Sequence, residues 1–194
     1  MNPVETLGLV LGAGFSSGLN LYATVATLGL LQRFGVLHLP TGLQVLSHPW
    51  VLATAIALYL LEFFADKIPY FDTFWDALHT FIRPPAAALL AFAAAGGAPP
   101  EWRWAAALLA GGVALTSHGT KASARAAVNT TPEPFSNWFL SFGEDALAVW
   151  LTWMATTHPV ATTIVVVALI ALCVFLLYYL FHFARRAFQR LLAS

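Results

Sequence analysis

Charge is the scarcest commodity in this sequence. Asp, Glu, Lys and Arg make up 9% of 194 residues, where a soluble domain carries about 25%. With 59% hydrophobic residues and a mean hydropathy of +0.75, that shortage excludes an ordinary soluble domain and points to a chain built for a lipid bilayer. An excess of positive charge is also missing. Nine basic residues balance nine acidic ones, and no basic patch interleaved with aromatics occurs, so nucleic acid is not an expected partner. The single cysteine, Cys173, sits in an apolar run. It supports neither a disulfide framework nor a cysteine zinc site. The opening "MNPVETLGLV" has no basic region ahead of its apolar stretch, which argues against a cleaved secretory signal. HExxH, GxSxG and Walker motifs are absent, and "IRPP" lacks the "PSGH" partner of a membrane phosphatase. No motif indicates an enzyme.

What is abundant is apolar sequence in segments. A spanning helix needs about 20 mostly apolar residues, and six candidates emerge: Leu7 to Leu31, Val51 to Ala65, Pro85 to Gly97, Trp104 to Ala127, Trp138 to Thr157 and Val160 to Ala184. They are joined by short breakers, "HLPTG", "SHPW", "GGAPPEW", "TTPEP" and "THP". The expected fold class is therefore all-α, a polytopic transmembrane bundle of about six spans forming one integral membrane domain over residues 1–194. The first span is interrupted by "GAGFSSGLN". Such a run marks either an unwound helix lining a cavity or a close packing surface. A faint echo sets "LGAGFSSGLNLYATVA" against "GGVALTSHGTKASARA", which makes two three-helix halves a candidate arrangement.

Basic residues orient the bundle. With both ends in the cytoplasm, Lys67, Arg83, Lys121, Arg125, Arg185, Arg186 and Arg190 fall on or towards the cytoplasmic side, and only Arg33 and Arg103 fall outside. Trp50, Trp75, Trp102, Trp104 and Trp138 lie at span ends, as an interfacial belt requires. The expected location is a bacterial inner membrane.

The few charges are not scattered. Residues 71 to 83 read as a short amphipathic helix with Asp72, Asp76, His79 and Arg83 at i, i+4, i+7 and i+11, one narrow stripe. Glu62 and Asp66 stand just upstream at i and i+4. A basic stripe follows in the fourth span: His118, Lys121, Arg125 and Asn129. "SFGEDALAVW" then places Glu144 and Asp145 in the fifth span. Ionisable groups in a membrane cost upward of about 2.5 kcal/mol each and usually mark a pathway or site. The competing reading is that the acidic and basic stripes pair and hold the bundle together. For Lys67, snorkelling to the interface is the expectation. Asp72, Asp76 and His79 are candidate ligands for a divalent metal ion, opposed by the adjacent Arg83. Lys121 and Arg125 suit a phosphate or carboxylate.

"GLN" in the first span, "EFFADKIPYFDTFWDALHTFIRPPAAALL", "HGTKASARAAVNTTPEPFSNW" and "SFGEDALAVW" resemble a bacterial membrane-protein family catalogued as domain of unknown function 4126, over roughly residues 5 to 155. The resemblance implies an integral membrane protein and brings no activity with it. The matching positions are Asn20, Glu62, Asp66, Lys67, Asp72, Asp76, His79, Arg83, His118, Lys121, Arg125, Asn129, Asn137, Glu144 and Asp145.

Three functions remain. The first is a small transport protein moving an ion or small charged solute through a polar cavity, with Asn20 and the two stripes as its binding residues. Its partners would be the bilayer, the solute and a second copy in a homodimer. The second is an enzyme or binding protein acting on phosphorylated lipid headgroups. The third is a non-catalytic membrane assembly factor.

Overall fold

A computed structural model describes residues 2–130 and 134–192. All regular structure among them is helical: α1 (Pro3–Arg33), a 3-10 turn (Thr41–Ser47), α2 (Pro49–Ala65), α3 (Phe71–His79), α4 (Arg83–Ala94), α5 (Pro100–Val128), α6 (Pro134–Thr157) and α7 (Pro159–Leu192). Proline opens α1, α2, α5, α6 and α7 and follows the first residue of α4. Its missing N–H is wasted least at the first turn. α1 also carries a capping box. Asn2 accepts from the Glu5 amide at 2.9 Å, and the Glu5 carboxylate accepts from the Asn2 amide at 2.9 Å. The breaker "TTPEP" lies mostly outside the described residues.

By length and composition two helices can cross a membrane, α1 and residues 159–183 of α7, or up to four if two bent pairs each count as one span. These two differ sharply in setting. The α1 window is 89% buried and that of α7 is 17% buried, so α1 is the centre of the bundle and α7 its rim.

α1 is not straight. Asn20 has φ −150 and ψ 102, extended values inside a helix. The contacts on either side show that the two arms fold back alongside each other. In the first arm Gly12 lies against Ala155 of α6 and Asn20 bonds Asp145, so this arm runs antiparallel to α6. In the second arm Gly29 lies against Leu46 and Leu52. α2 in turn runs beside α6 with the Phe63 and Phe142 rings 5.6 Å apart. Leu9, Ala13, Leu28 and Ala155 share one apolar cluster, although Leu9 and Leu28 would stand about 28 Å apart on a straight helix. Both arms therefore point to the same end of the bundle, and Asn20 is the tip at the other end.

The break falls at Asn20 and not across the glycines. Those remain helical and serve close packing: Gly8 against Pro159, Gly12 against Thr162, Gly14 against Ala110, Gly18 against Ala114 and Ser117. A second departure from expectation concerns residues 71–83. α3 ends at His79, and Arg83 opens α4. Pro84 and Pro85 have no N–H to donate back to Thr80 and Phe81, so the helix cannot continue through them.

α3 is amphipathic in the reverse of the soluble sense. Asp72, Asp76 and His79 are at most 3% exposed, while Phe71, Phe74 and Leu78 are 43–58% exposed. Polar side in and apolar side out is the pattern of a surface that meets hydrocarbon.

The packing predicts opposite responses at two glycines. A Cβ on Gly18 would collide with the Ala114 carbonyl and Ser117, and one on Gly112 would meet nothing within 4 Å. Gly18→Ala should destabilise the protein in detergent by about 1–3 kcal/mol, and Gly112→Ala should leave it unchanged or raise stability by up to about 1 kcal/mol. Unfolding curves of the two variants check this.

Candidate functional site

The tip of α1 meets the charged residues of five other helices. Three cations form the axis. Arg83, at the start of α4, donates from Nη2 to Glu62 Oε1 at 2.7 Å and from Nη1 to the Gly18 carbonyl at 3.0 Å. Lys121 of α5 donates to Asp66 Oδ2 at 2.8 Å and to the Leu19 carbonyl at 3.0 Å, with Glu144 Oε2 at 3.5 Å and Glu62 Oε1 at 3.6 Å. Arg125, one turn on, donates to the Asp66 carbonyl at 2.7 Å and Asp66 Oδ2 at 3.1 Å, and pairs with Glu144. Arg83, Lys121, Arg125, Glu62, Asp66, Asp72 and Asp76 are all at most 3% exposed.

The break explains two of these contacts. A residue in extended conformation opens the hydrogen-bond ladder, so the last carbonyls of the first arm have to find donors elsewhere. Arg83 and Lys121 supply them, and positive charge suits a helix C-terminus. Asn20 caps the second arm, its Oδ1 accepting from the Ala23 amide at 2.9 Å while its Nδ2 donates to Asp145 Oδ1 at 2.8 Å.

The histidines are neutral linkers. His118 Nδ1 lies 2.8 Å from Arg83 Nη1 and must accept from it, and Nε2 faces the Asp76 carbonyl at 3.0 Å and must donate to it. His79 Nδ1 faces the Trp75 carbonyl at 2.8 Å and so donates, and Nε2 lies 3.1 Å from the Tyr22 hydroxyl and 4.0 Å from Glu62 Oε2. Asp72, 3.6 Å from Arg125 Nη1, extends the network outward: Asn129 Nδ2 donates to Asp72 Oδ1 at 2.8 Å, and Asn137 Nδ2 donates to Asn129 Oδ1 at 2.9 Å.

The two stripes thus do meet: Glu62, Asp66, Asp72, Asp76, His79, Arg83, His118, Lys121, Arg125, Asn129 and Glu144 belong to one network, and Asn20 and Asp145 pair beside it. The metal expectation does not fit. Among the described residues no three His, Cys, Asp or Glu side chains converge on a metal position. Asp72 is turned to Asn129, Asp76 stands among three cations, and both nitrogens of His79 are engaged. Lys67 does not snorkel. Its ammonium lies 3.1 Å from the centroid of the Phe63 ring and donates to the Phe63 carbonyl and Ser141 Oγ, each at 3.0 Å. Tyr22 and Ser117 were not legible as site residues. Only the proximity of Tyr22 to Asn20 in sequence hinted at the first.

The model of a domain of unknown function (DUF4126) matches residues 7–179. The chain belongs to that family. The match runs beyond residue 155 through most of α7, so the last helix is part of the family's fold. No curated protein and no solved structure matches the chain.

The charges do not balance. Glu62, Asp66, Asp72, Asp76 and Glu144 face only Arg83, Lys121 and Arg125 as fixed cations within 4 Å among the described residues, and Asp145 is held by Asn20. Glu62 Oε2, Asp66 Oδ1, Asp72 Oδ2, both oxygens of Asp76 and Asp145 Oδ2 are buried and accept no hydrogen bond. Buried acceptors without donors are costly, more so when charged.

A network of this kind predicts strong coupling. Lys121→Met should cost about 3–5 kcal/mol, because it leaves carboxylates buried without their partner. Asp66→Asn together with Lys121→Met should cost less than the sum of the two single changes. A double-mutant cycle on unfolding in detergent measures the difference.

Proposed function

We propose that this member of the family is a small membrane transport protein whose charged core binds and releases a proton as it moves a small charged solute. The observation that carries this reading is the surplus of buried carboxylate at the tip of a folded-back helix. Placing uncompensated charge at such a depth is expensive, and a proton is the simplest neutraliser where no three donors converge on a metal. Asp76 is the carboxylate we assign to it. It lies among Arg83 at 3.5 Å, Lys121 at 3.9 Å and Arg125 at 3.9 Å, and neither of its oxygens accepts a hydrogen bond. Moving a proton on or off Asp76 changes what holds three helices together, which is a means of coupling charge to rearrangement.

In this reading the bundle sits in a cytoplasmic membrane. α2, α4, α5, α6 and α7 alternate in direction across it, α5 and α6 in addition to the helices that qualify by length and composition, and α1 enters and returns from one face. The chain ends then lie on opposite faces, and the six-span arrangement with both ends in the cytoplasm gives way. The positive-inside rule assigns the cytoplasm to the end that carries Lys67, Arg185 and Arg186, away from Arg33 and Arg103. The internal echo between α1 and α5 as parts of a repeat finds little support in their geometry, since α5 has no counterpart to the break at Asn20.

A second reading is favoured by the direct pairing of Arg83, Lys121 and Arg125 with their carboxylates: the network simply holds an assembly factor together. Proteoliposomes separate the two. With a pH-sensitive dye inside, wild type should dissipate an imposed proton gradient when a transported ion or amine from a panel is added. Asp76→Asn, verified as folded by its thermal transition, should not. If no solute moves protons and Asp76→Asn merely melts the protein, the structural reading stands.

A further inference from the structure

A groove of about 580 Å³ runs along the outside of the bundle between α2 and α6. Its walls are Tyr59, Phe63, Phe142, Trp150 and Trp153, and Asp145 borders it from the charged core. From Phe142 to Trp153 the groove follows three turns of α6, about 16 Å. Asp145 is 6% exposed, and while Asn20 donates to Oδ1, Oδ2 is buried and accepts no hydrogen bond. The Tyr59 hydroxyl is near enough to interact with it electrostatically.

Aromatic faces beside a carboxylate are what an organic cation requires, because the ring quadrupoles and the fixed charge attract it while the rings cover its hydrocarbon. The protein already shows the affinity of these rings for an ammonium. Lys67 Nζ stands 3.1 Å from the centroid of Phe63 and 4.5 Å from that of Phe142, two walls of the groove.

We infer that the groove binds a lipophilic organic cation, its charge directed at Asp145 and its apolar body laid along Trp150 and Trp153. The charge complementarity selects this occupant over a neutral acyl chain, which would bring no cation to Asp145, a carboxylate with no fixed cation within 4 Å among the described residues and one oxygen without a donor. Lys67 acts as a tethered competitor at one end of the site. The inference names the solute class for the transport reading and rests on that reading for movement, but binding is testable without it.

Tetraphenylphosphonium and tetraphenylborate have the same shape and opposite charge. Titrated into the full chain in detergent, the cation should quench tryptophan fluorescence and raise the melting temperature, and the borate should do neither. Asp145→Asn should weaken the cation by about tenfold or more, the scale of a desolvated cation–π and charge contact. Lys67→Met should tighten it about threefold by removing the competing ammonium, a gain that loss of a merely structural lysine would not give. If Asp145→Asn does not fold, Val149→Trp carries the test, since Val149 lines the groove, is 42% exposed and should only fill the space. Equal binding of both ions, or affinities unmoved by Lys67→Met and Val149→Trp, overturns the site. Binding without flux in proteoliposomes would retain the site and reject transport, whereas flux without binding would do the reverse.

Discussion

A charge taken out of water has to be answered by another charge or by oriented dipoles, and here that requirement fixes where six helices sit. Arg83, Lys121 and Arg125 are at most 3% exposed. Each is answered by groups from at least two other helices: α1 and α2 for Arg83, α1, α2 and α6 for Lys121, α3 and α6 for Arg125. Hydrophobic burial gives no such direction in a bilayer, where lipid tails are as apolar as leucine. The ionic network supplies the specificity that an oily core cannot.

The break in α1 follows from the same demand. Two helical carbonyls, of Gly18 and Leu19, are turned to cations, and this is possible because Asn20 interrupts the helix and caps its continuation. The glycines on the arm before it permit the approach, Gly18 lying directly against Ala114 and Ser117 of α5. A side chain there would push Lys121 away from the carbonyl it holds. Helix packing and charge compensation are thus one arrangement at this point.

The charged stripes were readable because helical periodicity is local: Asp72, Asp76 and His79 needed only a count of residues, as did Lys121, Arg125 and Asn129. Their meeting was readable as an alternative but not decided, since pairing across more than forty residues is a tertiary fact. Arg83 was assigned to the wrong helix because stripe spacing outweighed two prolines whose meaning is local and clear. The folding back of α1 was not legible at all. A run of glycine and serine can unwind a helix or pack it closely, and only the neighbours Ala110, Ala114 and Ala155 decide for packing. Lys67 was misread because snorkelling is the usual fate of a lysine near a span end, and the rings that receive it here come from residues 63 and 142.

The most direct test of the central claim is the protonation state of the buried carboxyls, read by infrared spectroscopy of the protein in detergent at neutral pH. The account predicts a carbonyl stretch from a protonated carboxylic acid that resists exchange with bulk solvent and disappears in Asp76→Asn. A spectrum in which every buried carboxyl is ionised, with no such band in wild type, would contradict it.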